Sequence, residues 1–311
     1  MTPLLSIREL DVALRADPAK RVVRGLSFDV AKGEVLGLVG ESGCGKSVTS
    51  LAIMGLLPDG LTVAGGSIAF DGAPLVPARM RGRRIGMVFQ DPMTALNPVL
   101  TIGSQITEVV RAHLGLGRAA ARTRALELLA QVRLPDPHRV IDTYPARLSG
   151  GQRQRVVIAI AIACNPALVI ADEPTTALDP TIQAQVMALL ATLRDELGIA
   201  LVLITHNLGL VAQAADRVLV MYAGRKVEEA TTEAIFARPL HPYTRRLLAA
   251  TPRPGTGARL TEIPGLVPSV LDLPPGCAFA PRCDMAEPAC LLQEPELTAP
   301  EPGRLAACLR A

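Results

Sequence analysis

The segment that most constrains the fold of this chain is an eight-residue loop that fits the phosphate-binding pattern G-x-x-x-x-G-K-[ST]. It follows an apolar, strand-like run at residues 35–39 and precedes a helical pattern at residues 48–57. This strand–loop–helix order is the context in which the pattern binds phosphate. The loop consists of Gly40, Glu41, Ser42, Gly43, Cys44, Gly45, Lys46 and Ser47.

The residue types of this loop suit a nucleotide triphosphate and its metal ion. Glycines have no Cβ, so backbone N–H groups can turn toward phosphate oxygens, and the N-terminus of the following helix adds a partial positive charge. Lys46 supplies a full charge for the β and γ phosphates, and Ser47 offers a hydroxyl to Mg²⁺. A chance match in a glycine-rich chain is the alternative, but the scarcity of lysine argues against it.

Composition indicates a globular, cytoplasmic chain with an aliphatic core. Hydrophobic residues make up 49% of the 311 residues, whereas aromatic residues make up only 3%. A formal net charge of +3 is too small to indicate a nucleic-acid partner. No N-terminal signal is visible, and no apolar run approaches the roughly 20 residues of a membrane span. The six cysteines are not expected to form disulfides in a reducing compartment.

The order of the patterns predicts an α/β fold around a nucleotide-binding core. Residues 4–14 and 22–30 alternate between apolar and polar, as half-buried antiparallel strands do. Helical patterns at residues 102–114 and 119–132 predict a helical insertion over about residues 91–150. Further strands are predicted at residues 67–70, 85–89, 167–171, 200–204, 218–221 and 225–227.

Residues 1–251 are expected to form the nucleotide-binding domain, followed by a C-terminal extension at residues 252–311. Eleven of the 26 prolines lie in that extension, which excludes long helices there. The basic run at residues 79–84 is interpreted as a solvated surface, because no aromatic residue is interleaved with it.

A second motif, Ser149, Gly150, Gly151 and Gln152, predicts an exposed helix start. Ser149 is a favourable N-cap, and Gln152 three residues later completes a capping box. The helix that follows is apolar almost all round and therefore buried. Two glycines in its first turn would present bare N–H groups to an anion approaching from outside. The alternative is an ordinary glycine-containing cap.

An acidic pair, Asp172 and Glu173, ends the apolar strand predicted at residues 167–171. Parallel α/β sheets place their chemistry at the carboxyl ends of strands. Asp172 can hold Mg²⁺ through water, and Glu173 can orient and polarise an attacking water. The alternative is a solvated carboxylate pair, which the phosphate loop upstream makes the weaker interpretation.

Two further residues complete the predicted site. Asp179 is interpreted as the N-cap of a helix that has Pro180 at its first position. His206 follows a buried strand and could hydrogen-bond a γ-phosphate and the attacking water, although histidines at strand ends are commonly local hydrogen-bonding residues. His113, His138 and His241 are assigned no role.

By these motifs the chain resembles the ATP-binding subunits of ABC transporters over about residues 4–250. The resemblance implies a P-loop NTPase (RecA-like) core with an antiparallel β subdomain, and it implies hydrolysis of ATP with Mg²⁺. The motifs, in the family's order, are residues 40–47, Gln90, residues 148–152, residues 168–173, residues 176–179 and His206.

The resemblance also assigns roles and partners. Gln90 would sense Mg²⁺ and nucleotide and link to the membrane subunits, and residues 149–152 would bind the γ-phosphate held by the opposite subunit. The expected partners are a second ATP-binding subunit (a related chain or a second copy), two membrane permease subunits and, indirectly, a solute-binding protein. The chain would then lie at the cytoplasmic face of the cell membrane. Lys46, Gln90, Glu173 and His206 are the predicted catalytic residues; Ser47, Gln90 and Asp172 are predicted at Mg²⁺.

Several features narrow the resemblance to the oligopeptide/dipeptide importers. They are residues 40–47, residues 90–98, the His-Pro-Tyr-Thr motif at residues 241–244 and the cysteine-containing tail. Nickel and glutathione importers share them, so the solute stays open. One departure is the lack of an aromatic residue between Asp11 and Ser27 that could stack on adenine; Arg21 or an aliphatic side chain would take its place.

The tail carries four cysteines spaced C-x5-C-x6-C-x17-C. Four thiolates suit a tetrahedral or cubane site. Related importer subunits carry this tail and some hold a [4Fe–4S] cluster there, so a cluster is predicted, with zinc or free thiols as alternatives; zinc usually shows a closer cysteine pair. Cys44 and Cys164 are expected to be small buried hydrophobes. The predicted cluster ligands are Cys277, Cys283, Cys290 and Cys308.

Two rival functions are weighed against the transporter motor. A soluble ABC-type ATPase acting on DNA or ribosomes would commonly carry two cassettes or long coiled-coil insertions, and this chain shows neither. A regulatory nucleotide-binding module without turnover would not need Glu173 and His206.

Overall fold

The computed structural model describes residues 2–176, 178–251, 263–269 and 272–311. Predictions that concern Met1, Ala177 in the motif at residues 176–179, or the proposed domain boundary at residues 251 and 252 fall wholly or partly outside these residues. The chain divides into two compact units. The terminal unit comprises residues 1–75 and 203–311, and the central unit comprises residues 76–202.

Strands are numbered in chain order over the described residues. They are β1 (Leu5–Leu14), β2 (Asp17–Val30), β3 (Val35–Val39), β4 (Leu61–Phe70), β5 (Ala73–Pro74), β6 (Ile85–Val88), β7 (Leu168–Asp172), β8 (Ala200–Thr205), β9 (Arg217–Tyr222), β10 (Arg225–Thr231), β11 (Thr298–Glu301) and β12 (Arg304–Ala306).

Helices are numbered in the same way, and single 3-10 turns lie at Pro145–Arg147 and Ala280–Arg282. The helices are α1 (Lys46–Met54), α2 (Pro77–Met80), α3 (Pro92–Ala95), α4 (Ile102–Leu114), α5 (Arg118–Gln131), α6 (Pro137–Val140), α7 (Gly150–Ala161), α8 (Pro180–Leu197), α9 (Leu208–Ala214), α10 (Thr232–Ala237), α11 (Pro242–Ala249) and α12 (Pro288–Leu292).

The terminal unit contains the predicted antiparallel sheet, in the order β2-β1-β4-β5. Leu5 pairs with Val30 on one side and with Phe70 on the other, both antiparallel, which confirms the predicted antiparallel β subdomain. β2 begins at Asp17, five residues earlier than predicted. The first five residues of β2 are largely exposed, so they lack the apolar alternation that marks a half-buried strand.

A second set of strands in the terminal unit runs in the order β11-β12-β10-β9-β3. β3 and β9 are parallel, and β9 and β10 form the predicted hairpin around Ala223 and Gly224. The C-terminal segment adds β12 antiparallel to β10, with Glu228 opposite Ala306. This pairing was not predicted. It joins the end of the chain to the strands that flank the phosphate loop.

The central unit pairs β6 and β7 in parallel, with Ile85 opposite Leu168 and Val88 opposite Ala171. Helices α3 to α6 lie between these strands in the chain, so the helical insertion is confirmed. The predicted helix at residues 102–114 matches α4 at both ends, because Thr101 caps its start and Gly115, with φ of 67°, ends it.

Both units are filled mainly by aliphatic side chains, as the composition predicts. In the central unit, α7 packs against β6, and Val156, Val157 and Ile158 are buried. In the terminal unit every residue of β3 is buried. Among the described residues, no helix combines the length and apolar character that crossing a membrane requires.

The close approach of α7 to β6 predicts a strong effect of a small substitution. A Cβ on Gly86 would lie 2.1 Å from the carbonyl oxygen of Ala161. We expect Gly86→Ala to lower the free energy of unfolding by about 1–3 kcal/mol, because the helix must move away from the strand. Urea unfolding followed by circular dichroism measures this change.

The matched control is Gly60→Ala, because a Cβ on Gly60 would meet no atom within 4 Å. Its free energy of unfolding should stay within about 0.5 kcal/mol of the wild-type value. Equal stability of the two variants would contradict the packing of β6 against α7.

Candidate active site

The phosphate loop follows β3 and turns through glycines with positive φ angles. These angles are 154° at Gly40, 81° at Gly43 and 102° at Gly45. A Cβ on Gly40 would lie 2.3 Å from the carbonyl oxygen of Met221 and 2.7 Å from Cys44 Sγ. Only glycine fits there, so the loop keeps a backbone path that other residue types would disrupt.

Lys46 places its ammonium group against this loop. Its Nζ donates to the carbonyl oxygens of Gly40, at 2.7 Å, and of Glu41, at 3.0 Å, and the residue is only 5% exposed. A positive charge is thus held beside the backbone of a glycine-rich turn, which is the arrangement that a phosphate group requires. Ser42 and Gly43 are exposed, so an anion can reach the loop from solvent.

Cys44 is fully buried within the loop, as expected of a small hydrophobe. Burial raises the pKa of the Cys44 thiol above its ordinary value, although the nearby Lys46 ammonium opposes that shift. The thiol is therefore neutral at physiological pH and packs against the loop.

In the central unit, the parallel strands β6 and β7 bring Gln90 and Glu173 together. Gln90 Nε2 donates to Glu173 Oε2 at 3.1 Å, and Thr176 Oγ1 donates to the same oxygen at 2.7 Å. Asp172, the last residue of β7, is 4% exposed. The contact of Thr176 with Glu173 was not predicted. A Thr three residues after a strand-end carboxylate is the local signal that could have indicated it.

Glu173 has a backbone conformation that is unusual for its residue type. Its φ is 46°, in the left-handed region, and the residue is 9% exposed. Such a conformation costs about 1–3 kcal/mol and is common at functional sites. The strain and the two hydrogen bonds together fix the direction of this carboxylate.

The capping box at the start of α7 is confirmed. Ser149 Oγ accepts from the backbone N–H of Gln152 at 3.3 Å, and Gln152 Oε1 accepts from the backbone N–H of Ser149 at 3.0 Å. Ser149 and Gly150 are exposed. A Cβ on Gly151 would lie 2.8 Å from Ile182 Cγ2, so the tip also packs closely against α8.

Asp179 and His206 occupy the positions that their local patterns predict. Asp179 Oδ1 accepts from the backbone N–H of Ile182 at 3.0 Å and caps α8. His206 directly follows β8 and is exposed.

Comparison with known proteins decides the family. The family model for the ABC transporter matches residues 23–176, and the model for the oligopeptide/dipeptide transporter C-terminal region matches residues 227–290. A probable peptide ABC transporter ATP-binding protein of Sinorhizobium fredii is 49% identical over 99% of this chain and 95% of its own length. The chain belongs to the ATP-binding proteins of ABC transporters.

Other members of the family are similar over nearly their whole length. The dipeptide transport ATP-binding protein DppD of Haemophilus influenzae is 50% identical over 94% of this chain and 92% of its own. The oligopeptide transport ATP-binding protein AppD of Bacillus subtilis is 48% identical over 99% of this chain and 97% of its own length. The described chain is therefore an ABC-type ATPase with the C-terminal region of the peptide transporters.

Solved structures of ABC ATPases confirm the P-loop NTPase fold. The protein cbiO1 of Clostridium perfringens, part of an ABC transporter complex, gives a TM-score of 0.66 at 27% identity, over 76% of this chain and 92% of its own. A dimeric post-hydrolysis state of an ATP-binding cassette bound to ADP and Pi gives a TM-score of 0.65 at 27% identity. The match covers 73% of this chain and 98% of that chain.

The predicted iron–sulfur cluster of this ABC ATPase is wrong. The four tail cysteines line one cavity with His241 and Phe279. Yet among the described residues, which include all four, no group of three or more His, Cys, Asp or Glu side chains is placed to hold a metal ion. Burial raises the pKa of the Cys277, Cys283 and Cys308 thiols, which favours the protonated form over the thiolate that a metal needs. Spacing along the chain does not determine ligand geometry.

The His-Pro-Tyr-Thr motif has structural contacts that sequence reasoning missed. The imidazole of His241 caps α11, because its Nδ1 accepts from the backbone N–H of Tyr243 at 3.0 Å. The hydroxyl of Tyr243 accepts from the backbone N–H of Glu41, in the phosphate loop, at 2.8 Å. The concentration of histidine and tyrosine in a chain poor in aromatic residues was the available signal.

A testable prediction concerns Gly40 and Gly43, two of the three loop glycines, which differ in their surroundings. Gly40→Ala should abolish measurable ATP binding in isothermal titration calorimetry, because its Cβ would collide with the Met221 carbonyl oxygen. Gly43→Ala is the control: its Cβ would meet nothing within 4 Å, so only the positive φ is strained. That variant should lose about tenfold in affinity or less. Wild-type affinity in Gly40→Ala would contradict the tight fit of the loop.

A further prediction concerns His241, the buried N-cap of α11. Burial lowers the pKa of His241 from 6.5 to about 4. The neutral imidazole thus stabilises the fold fully above pH 6.5, and about 3 kcal/mol of stability is lost as the pH falls from 6.5 to 4. His241→Asn keeps an acceptor for the Tyr243 N–H without titrating, so its free energy of unfolding should fall less over that range. The free energy of unfolding of each protein is measured by urea unfolding between pH 4 and 6.5. If it falls equally in the wild type and in His241→Asn, His241 does not titrate in this way.

Proposed function

We propose that this chain is the ATP-hydrolysing motor subunit of an ABC importer for di- or oligopeptides. The relatives that match nearly its whole length carry peptide, dipeptide or oligopeptide transport in their names. The C-terminal model of the same class supports that solute. The alternative is the same motor for nickel, glutathione or another small solute. The conformation of the phosphate loop, with Lys46 held against it, is the single observation that carries the ATPase activity.

In the proposed site the loop backbone and Lys46 hold the ATP phosphates. The tight turn at Gly40 leaves room for backbone but not for a side chain, and the exposed tip admits an anion. Ser47, Gln90 and Asp172 would hold Mg²⁺ with their hydroxyl, amide and carboxylate oxygens, which are the ligand types it prefers. These residues would place Mg²⁺ beside the phosphates, where the ion would supply neutralisation of their charge.

The proposed role of Glu173 is to orient and polarise the attacking water. Its carboxylate is fixed by the Gln90 amide and the Thr176 hydroxyl, so it keeps one direction without rearrangement during the reaction. Gln90, which also reaches the solvent, would report the state of this carboxylate to the membrane subunits. His206 would hydrogen-bond the γ-phosphate and the same water.

The exposed start of α7 supports a composite site. Ser149 and Gly150 direct the N-terminus of a twelve-residue helix, whose C-terminal half is largely buried, toward solvent, where it can meet the γ-phosphate held by another subunit. We infer that two ATP-binding subunits, this chain with a second copy or a related chain, close on two ATP molecules. Closure at the cytoplasmic face of the membrane would move two permease subunits. These permease subunits would receive solute from a solute-binding protein.

Glu173→Gln tests the assignment of the carboxylate. The variant should bind ATP as the wild type does and lose most of its turnover, because an amide cannot polarise water as a carboxylate does. Steady-state phosphate release measures turnover, and isothermal titration calorimetry measures binding.

Glu196→Gln is the matched control, since Glu196 is an exposed carboxylate of the same unit near the end of α8. It should hydrolyse ATP at the wild-type rate. If Glu173→Gln also keeps that rate, Glu173 does not orient the attacking water.

Copurification tests the transporter assignment separately from the ATPase assignment. Tagged full-length chain, isolated in mild detergent from its own cells, should retain two hydrophobic permease proteins. Recovery of ribosomes or DNA without permeases would instead support a soluble ABC-type ATPase.

A further inference from the structure

Glu41 is the second residue of the phosphate loop, and its backbone N–H, its carbonyl oxygen and its carboxylate are all hydrogen-bonded. Its backbone N–H donates to the hydroxyl of Tyr243 at 2.8 Å. Its carbonyl oxygen accepts from Lys46 Nζ at 3.0 Å. Its two carboxylate oxygens accept from Arg282 Nη1 at 2.7 Å and from Arg282 Nη2 at 3.0 Å. The loop is thus fixed at this residue by three side chains, two of which come from the C-terminal part of the chain.

Arg282 uses all the donors of its guanidinium group. Besides Glu41, Nη1 donates to the hydroxyl of Tyr222 at 3.3 Å, Nη2 to the carbonyl oxygen of Ile263 at 3.2 Å, and Nε to that of Pro264 at 3.0 Å. Five N–H groups therefore meet five acceptors, and the side chain is only 4% exposed. Such a buried fork is specific to arginine, because a lysine ammonium has three donors and no planar geometry.

Three aromatic rings pack together beside Arg282 and include the tyrosine that contacts Glu41. The ring centroids of Tyr222 and Tyr243 lie 4.6 Å apart, and the ring of Phe279 lies 5.3 Å from Tyr222 and 5.4 Å from Tyr243. All three side chains are at most 1% exposed. Phe279 precedes Arg282 by three residues, so the same packing that orders Tyr243 also orders the segment that carries Arg282.

The charge of Glu41 explains why its partner matters for an anion site. An unpaired carboxylate in the loop would repel phosphate, and it could accept the loop N–H groups that phosphate needs. Arg282 neutralises this carboxylate and directs it toward the C-terminal segment. The pair therefore keeps the loop both open and free of uncompensated negative charge.

We propose that Arg282 is a positioning residue for the phosphate loop, which acts through Glu41 so that the C-terminal segment sets the affinity for ATP. The inference rests on the proposed function of the loop as the ATP site. Arg282 is expected to act on the loop without touching the nucleotide. It holds the residue whose backbone begins the turn around the phosphates.

The test is a double-mutant cycle of Arg282→Met and Glu41→Gln in the full-length chain. The dissociation constant for Mg-ATP is measured by isothermal titration calorimetry, and the thermal midpoint of each variant shows that it is folded at the temperature used. Arg282→Met should raise the dissociation constant roughly tenfold or more. In the Glu41→Gln background the same substitution should change it by about threefold or less, because no carboxylate remains to be released.

Two further variants separate positioning from general stability. Arg246→Met is the matched control: Arg246 forms an ion pair with Asp284 of the C-terminal segment at 3.0 Å rather than with Glu41, and its loss should leave the dissociation constant unchanged. Arg282→Lys keeps the positive charge but loses the planar fork, so it should also raise the dissociation constant, by about threefold or more. It keeps the proposal testable if Arg282→Met does not fold.

The failure of this inference is distinguishable from failure of the proposed function. If the wild-type chain does not bind ATP, or Lys46→Ala binds it equally well, the proposed ATP site is wrong. If wild-type binding is normal and Lys46→Ala abolishes it, equal affinity of wild type and Arg282→Met overturns the inference alone. An effect of Arg282→Met that is the same size in both Glu41 backgrounds also overturns it.

Discussion

The structure depends on the close contact between the phosphate loop and the strand beside it. The parallel pairing of β3 with β9 places Gly40 against the carbonyl oxygen of Met221, where there is no space for a Cβ. This contact fixes the start of the turn, and Gly45 fixes its end at α1 with a positive φ. Lys46 is the first residue of α1, directly after the turn, and its side chain therefore lies against the carbonyl oxygens of the turn. The charge that a phosphate requires is placed by strand pairing and glycine sterics together.

In the central unit, strand pairing and backbone conformation likewise place a charged group, the carboxylate of Glu173. Parallel pairing of β6 and β7 brings Gln90 and Glu173 to one edge, and a left-handed backbone at Glu173 turns its side chain toward the amide of Gln90. The start of α7 is ordered by its own capping box and so stays exposed without unsatisfied N–H groups at Ser149 and Gln152. The carboxylate of Glu173 and the start of α7 are each held by hydrogen bonds within the protein itself, and such preorganised groups are what electrostatic catalysis of phosphoryl transfer requires.

Local signals in the sequence predicted what local contacts determine. The ends of α4, the capping box at Ser149 and the cap at Asp179 each depend on residues within four positions along the chain. The contacts of Glu41 with Tyr243 and with Arg282 join residues 202 and 241 positions apart, and no local pattern indicates them. The pairing of β12 with β10 was missed for the same reason. The tail cysteines show the reverse error, because a suggestive spacing led to a metal cluster that their observed placement does not support.

Hydrogen exchange at the phosphate loop measures whether its backbone N–H groups bind the phosphates of ATP. Full-length protein is labelled in deuterated buffer with and without Mg-ATP, and exchange is followed by mass spectrometry of peptides that cover residues 40–47. Binding of the phosphates by loop N–H groups predicts that the largest slowing of exchange in the terminal unit falls within this segment. Unchanged exchange there at a saturating ATP concentration would show that the loop N–H groups do not bind the phosphates.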